Sequence, residues 1–417
     1  ARDPIEPLYN TTDAEESLKH FSSVERDQVI EVEPGIKARL RNAGHILGSS
    51  ILELWVEGTG GEVKIVFSGD IGKHDQLIVR DPHEVFAADY LFLESTYGNR
   101  FHRSFEDSKK ELQEAIQYAV SKGEKVIIPA FAVERTQEIL YLLGEFYRAG
   151  DLPEIPVYLD SPLAIKATEI FRKNKKYYDE EAMAIVDQGF DPFDMPNLRF
   201  TPDTQESIAI NEKKGPAIVI AGSGMCTAGR IKHHLKHNLW RPGASVVIIG
   251  FQAKGTTGRK LVDGEKVVKI FRENVAVSAK VFTIGGFSAH ADQNDLLDWV
   301  DHFVESRPHV FVVHGEKTAS ETLAGKIKEK FNLGVHVPKW KEKLILKPKK
   351  VIETKPEVEE AAPDLNRIML KTITDLEREL AGLKERLEKK DSEKAIGEDD
   401  VDRLNYIKEE IQAISPH

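Results

Sequence analysis

The sequence predicts an α/β protein built on mostly parallel sheet, and three observations carry that reading. Short apolar, β-branched runs alternate with amphipathic stretches, nearly every run stops at a polar or Gly-rich turn, and the chain has 417 residues, 41% of them hydrophobic. That size buries two or three cores, and the alternation is the pattern of parallel strands covered by helices.

In chain order the expected strands are 63–67, 90–93, 125–128, 157–159, 217–220, 245–249, 280–283 and 309–313, with amphipathic helices over 108–121, 134–147 and 293–304. In such sheets ligands bind beyond the carboxyl ends of the strands. The residues 348–363 read as a charged, Pro-punctuated linker. Heptad spacing then begins, with Met369, Ile373, Leu376, Leu380, Leu383 and Leu387, a break over 391–400, and Leu404, Ile407, Ile411 and Ile414. This is a helical hairpin, which either packs back on the body or makes a homodimer.

The net charge of −11 is unevenly spread. Residues 351–417 hold eighteen Asp/Glu and eleven Lys/Arg, a net of −7 that leaves −4 for the first 350, so a local basic groove is compatible with the composition. One cysteine, Cys226, excludes an internal disulfide and a Cys-cluster zinc site, leaving His and carboxylate as metal ligands and pointing to a reducing cytoplasm. No run of about 18 apolar residues predicts a membrane span. The start, Ala1-Arg2-Asp3-Pro4, is neither a signal peptide nor an initiator Met and reads as a truncation or processing point.

Candidate chemistry sits where the strands end. Ile65-Val66-Phe67-Ser68-Gly69-Asp70 delivers a carboxylate after a buried-type strand, and Asn42-Ala43-Gly44-His45-Ile46-Leu47-Gly48-Ser49 places an imidazole among small and apolar residues. Phe311-Val312-Val313-His314-Gly315-Glu316 repeats the device, Phe287-Ser288-Ala289-His290-Ala291-Asp292 adds another histidine, and Leu93-Glu94-Ser95-Thr96-Tyr97-Gly98 adds a carboxylate. Singly, a strand-end Asp is more often a turn or cap residue and such histidines are more often satisfied core or loop residues. Their conjunction points to a metal site.

The ordered series resembles the β-CASP branch of the metallo-β-lactamase superfamily, which includes RNase J and the endonuclease of pre-mRNA 3′-end processing. The resemblance covers about residues 1 to 345. It implies a metallo-β-lactamase αββα sandwich, incomplete at its N-terminus, over 1–98 and 287–350, with an inserted β-CASP α/β domain of mainly parallel sheet over 99–286 and the helical hairpin over 363–417. It further implies zinc ligation by His45, Asp70 and His314, with Asp70 bridging two ions and Asp70, Glu94 and His290 in catalytic roles. His290 is the expected general acid and Glu94 its orienting carboxylate. Zinc would lower the pKa of water to about 7, and two ions about 3.5–4 Å apart would clamp the attacking and leaving oxygens of a phosphodiester. His at position 314 favours RNA over DNA within that family.

The insertion between Glu94 and His290 carries loops suited to a phosphate backbone. Arg135, Ser161, Ser223, Gly224, Arg230, Lys254, Thr256 and Arg259 are the expected RNA contacts. The glycines match neither G-x-G-x-x-G nor G-x-x-x-x-G-K-[ST], so dinucleotide and P-loop readings are poor, while ordinary tight turns remain an alternative. His233, His234 and His237 read as a solvated helix face near the RNA path.

One departure is large. The His-x-His-x-Asp-His run that supplies the family's other ligands occurs nowhere in these 417 residues. An exposed sheet edge and an incomplete core are expected with it. The chain reads as a zinc ribonuclease, inactive in this form, with a non-catalytic RNA-binding scaffold and a different metallo-β-lactamase-fold hydrolase as alternatives. The ligand count predicts substoichiometric zinc and slow RNA cleavage by the isolated chain. Elemental analysis of the purified protein beside a cleavage assay checks this, and near-stoichiometric zinc with rapid cleavage is the contrary result.

Overall fold

Two sheets organise residues 9–348, which are those this computed structural model describes. The chain opens with α1 (Thr11–Ser17), which starts at an Asn10 capping box and buries no side chain. It then builds β1 (Ile30–Glu33), β2 (Ile36–Asn42), β3 (Ser50–Gly58), β4 (Gly61–Phe67) and β5 (Tyr90–Leu93). The second sheet takes β6 (Lys125–Pro129), β7 (Val157–Leu159), β8 (Leu198–Phe200), β9 (Ala217–Ala221) and β10 (Ser245–Ile249). A hairpin of β11 (Val267–Ile270) and β12 (Glu273–Ala276) follows, then β13 (Lys280–Ile284), β14 (His309–Val312) and β15 (Gly334–His336).

The first sheet has the order β1-β2-β3-β4-β5-β14-β15. Its first four strands form an antiparallel meander, and from β4 to β15 neighbours are parallel. Consequently β2, β4, β5 and β14 all run the same way. The second sheet, β13-β10-β6-β9-β7-β8, is parallel throughout. Every residue of β6, β9 and β10 is buried, as continuous Val/Ile runs in a sheet covered on both faces must be.

Helices occupy the connections: α2 (Phe105–Ser121), α3 (Arg135–Ala149), α4 (Pro162–Lys173), α5 (Glu180–Asp187), α6 (Thr204–Glu212), α7 (Ile231–Asn238) and α8 (Thr257–Val262) with the second sheet, then α9 (Gln293–Asp301) and α10 (Lys317–Phe331) with the first. Helix α2 shows the logic. Ser104 Oγ caps it by accepting from Asp107 N at 3.3 Å, and Leu112, Ala115, Ile116 and Ala119 make the buried stripe. The C-terminal heptads fall outside the described residues.

The two faces of the first sheet differ. On one, Ile51, Val66, Leu91, Leu93, Val310 and Val312 meet Leu296, Val300 and Phe303 of the α9 segment and Leu323, Ile327 and Phe331 of α10 in a shared core. On the other, Leu52, Leu54, Ile65, Phe67, Tyr90 and Phe92 are only half-buried. Phe67 stacks on Phe92 at 4.6 Å and Phe92 on Phe311 at 4.8 Å. No described helix contributes to a core on that face.

The meander buries one charge. Glu53 has no exposure and is bonded by Arg39 Nε at 2.6 Å, Arg41 Nε at 3.2 Å and Lys64 Nζ at 2.7 Å. Burial alone would raise its pKa, but the hydrogen bonds from Arg39 and Lys64 win and hold it at about 2. A depressed pKa stabilises the fold above the unfolded value, ~4.3, and loses that effect as pH falls towards the folded one. Glu53→Ala is therefore expected to cost about 2 kcal/mol at neutral pH, below the full cost of breaking a buried pair because the three cations keep some solvent contact. In denaturant titrations the gap to the unmodified protein should narrow between about pH 4 and pH 2.

Candidate metal centre and active site

The shared direction of β2, β4, β5 and β14 brings the candidate residues to one edge. His45 follows β2, Asp70 follows β4, Glu94 follows β5 and His314 follows β14. His290 arrives from the segment between β13 and α9, where it bridges to Gly72. The turns need their glycines. At Gly44, with φ of +65°, a Cβ would stand 2.5 Å from Pro82 N, and at Gly69, with φ of +57°, 2.7 Å from Ser50 O.

Asp70 is the centre of the group. Its Oδ2 lies 3.9 Å from His45 Nε2 and its Oδ1 lies 3.4 Å from His314 Nε2, so each oxygen faces a different imidazole. His45, Asp70 and His290 each offer a ligand atom within 4.8 Å of the others. Burial, and then the charge of His290, push the His45 pKa down to about 4, leaving the neutral ring that a metal requires. This donor set suits a divalent ion such as zinc. His314 is largely exposed on its open side.

Glu94 and His290 form a separate pair beside it. Glu94, 1% exposed, accepts from Ile71 N at 2.9 Å and Thr96 N at 3.1 Å and bonds His290 Nδ1 at 3.1 Å. Burial opposes a charged imidazole, but the Glu94 hydrogen bond and charge outweigh it and raise the His290 pKa. Burial likewise opposes the Glu94 anion, which His290 more than restores. The His290 and His45 rings lie 4.2 Å apart, and His102 Nε2 is 2.7 Å from the His290 carbonyl.

The strand ends of the second sheet line the same cleft. A cavity of about 460 Å³ is bounded by His45 and His290 on one side and Phe131, Glu134, Arg135, Met225 and Phe251 on the other. A neighbouring one of about 490 Å³ is bounded by Ser161, Gly222, Ser223 and Arg230. Among the expected RNA contacts, Arg135 pairs with Glu138, Ser161 caps α4, and Ser223 Oγ accepts from Thr227 N and Ala228 N. Gly224 packs under the Phe131 ring. Lys254 is exposed, Thr256 caps α8 and Arg259 Nε pairs with Asp263.

Two side chains point elsewhere than the sequence suggests. Arg230 turns inward, its Nη1 donating to Asp160 Oδ1 at 2.7 Å and Thr201 O at 2.6 Å and its Nη2 to Pro202 O at 2.8 Å. His234 is fully buried rather than solvated, with Nε2 2.6 Å from Asp160 Oδ2 and Nδ1 3.0 Å from Asn211 Oδ1. Ser207 Oγ at 2.6 Å and Thr201 Oγ1 at 2.9 Å complete the shell of Asp160. Burial would raise that carboxyl, yet these donors, His234 foremost, hold its pKa at about 2. The network ties β7, α6 and α7 together behind the loops. Asp160→Ala strips the half-buried Arg230 guanidinium and the buried His234 ring of their shared partner and is expected to cost about 3–5 kcal/mol, read as a lower denaturant midpoint.

Residues 136–261 match the Beta-Casp domain family, and residues 274–338 match the family described as Zn-dependent metallo-hydrolase RNA specificity domain. Over 312 residues the chain is 38% identical to "Ribonuclease TTHA0252" of Thermus thermophilus, covering 75% of this chain and 70% of that protein. An RNase J-like protein of Methanocaldococcus jannaschii is 31% identical over 334 residues, 79% of this chain and 76% of that one. The transcription termination factor FttA of Thermococcus kodakarensis is 34% identical over 344 residues, 80% of this chain but 52% of the factor, so the chain spans about half the length of that relative. With these matches, and with the expected motif residues gathered on one sheet edge, the chain belongs to the β-CASP family of the metallo-β-lactamase superfamily.

Proposed function

We propose that the chain is the RNA-hydrolysing portion of a metal-dependent ribonuclease. The observation that carries this reading is the convergence of His45, Asp70, His314 and the Glu94–His290 pair where strands of one direction end. The ribonuclease names of two relatives and the RNA-specificity description of residues 274–338 support it.

His45, Asp70 and His314 are the residues that would hold zinc, as two ions in this proposal. When bound, zinc lowers the pKa of water to about 7 and offsets negative charge on phosphate oxygens. The protein's own groups do the rest. Glu94 fixes the His290 ring through Nδ1, which leaves Nε2 to face the leaving oxygen, and its charge favours the protonated ring that donation needs. Glu94 is itself immobilised by two backbone amides. Arg135, Ser161, Ser223, Gly224, Arg230, Lys254, Thr256 and Arg259 are the second-sheet loop residues proposed for the RNA path, with Arg230 acting through the Asp160 network that shapes it.

The reading places the protein in the cytoplasm, where its one buried cysteine stays reduced. No helix among the described residues is long and apolar enough to cross a membrane.

His290→Ala is expected to lower kcat for RNA cleavage about 10²–10⁴-fold with zinc content nearly intact, whereas His314→Ala should lower both. Cleavage and elemental analysis on the same preparations of the full-length protein check this. Loss of zinc in His290→Ala would instead make His290 a ligand, and unchanged cleavage would remove its acid role.

A further inference from the structure

Three backbone segments meet beneath His45 and His290. Residues 71–73 run between the other two: Gly72 N donates to Ala43 O at 2.8 Å, Ala291 N to Ile71 O at 2.7 Å and Lys73 N to Ala289 O at 3.0 Å. His45 belongs to one flank and His290 to the other, and their rings stand 4.2 Å apart. That spacing relates a metal ligand to the group proposed to donate the proton.

The backbone bonds tie each flank to the middle segment, and one side chain ties flank to flank. Gln76 follows Asp70 in the same loop and is 5% exposed. Its Nε2 donates to the carbonyl of Gly44 and, at 3.3 Å, to that of Ala289. These are the peptide groups directly before His45 and His290. A primary amide has two N–H donors, one for each.

The loop is built to deliver this amide. Asp75 turns the chain at φ of +54°, its own amide donates to Asp81 Oδ1 at 3.0 Å, and His74 Nδ1 lies 3.0 Å from Asp81 Oδ2. Gly72 leaves the room, since a Cβ there would collide with Gly44 O and stand 2.6 Å from Gln76 Nε2. Packing alone does not account for a glutamine here. Its Oε1 is buried with no partner among the described residues, a cost that an apolar side chain of similar length avoids.

We infer that Gln76 is a positioning residue, which sets the distance between His45 and His290 by clamping the peptide group before each. It acts through the two backbones. The inference rests on the ribonuclease reading and adds a residue to its site. A displacement of about 1 Å among reacting groups costs about a hundredfold in rate, so such a clamp is felt in turnover.

The test takes the full-length protein with Gln76→Met, which keeps the length of the side chain and removes both donors. Zinc affinity, read by competition with a chromogenic chelator, is expected to fall about tenfold to a hundredfold, and kcat for RNA cleavage at saturating zinc by a similar factor, with KM within about twofold. In His290→Ala, where the acid is already gone, adding Gln76→Met should leave kcat nearly unchanged, whereas a general loss of structure would multiply the two deficits. Gln76→Asn keeps an amide one methylene too short to reach both carbonyls and should give the same losses, which decides the matter if Gln76→Met does not fold. Any one of three results overturns the clamp and leaves the ribonuclease reading standing: unchanged zinc affinity, unchanged kcat, or deficits that multiply. If the unmodified protein cleaves no RNA, the ribonuclease reading falls and zinc affinity alone decides the clamp.

Discussion

A single carboxylate without access to water holds the site in register. Glu94 bonds the amide of Ile71 just beyond one strand, the amide of Thr96 beyond its own, and the imidazole of His290, 196 residues later in the chain. The Thr96 contact is local, two residues along the chain, while those to Ile71 and His290 join distant segments. Breaking one would leave an unpaired charge in the protein interior, so the three segments share the same constraint. The position of His290 relative to Asp70 follows from it.

Strand direction does the coarser work. Because the meander reverses twice between β2 and β4, β2 runs parallel to β4, β5 and β14, and four separate loops leave the sheet at the same edge. The second sheet repeats the arrangement with β6, β7, β9 and β10. Each loop can therefore present polar chemistry while the strands behind it remain mainly apolar. The Asp160 network stiffens the second set as Glu94 stiffens the first.

Much of this was legible in the sequence. The buried strands announce themselves as short Val/Ile runs, and His45, Asp70, Glu94, His290 and His314 stand out because they interrupt small or apolar surroundings. The meander β1 to β3 was not legible, since Arg39, Arg41 and Glu53 alternate with half-buried apolar residues and satisfy one another across strands. The strands β8, β11, β12 and β15 have three or four residues, too few for a periodic signal. The inward bonds of Arg230 and His234 were not legible for a common reason: their partner Asp160 is 70 and 74 residues away, and only the folded chain turns a basic helix end inward. Tyr97 lies in a motif read for Glu94, and Phe131 and Phe251 lie in loops read for their polar neighbours, because an aromatic residue reads as core until its exposure is known.

The unequal faces of the first sheet carry a thermodynamic consequence. The heat-capacity increment of unfolding, like the denaturant m-value, scales with surface newly exposed to water. Leu52, Leu54, Ile65, Phe67, Tyr90 and Phe92 are already partly hydrated in the folded state and contribute little to either quantity. The described body should therefore unfold with a flatter stability curve than its length implies, and any polypeptide covering that face would sharpen the curve without touching a catalytic group.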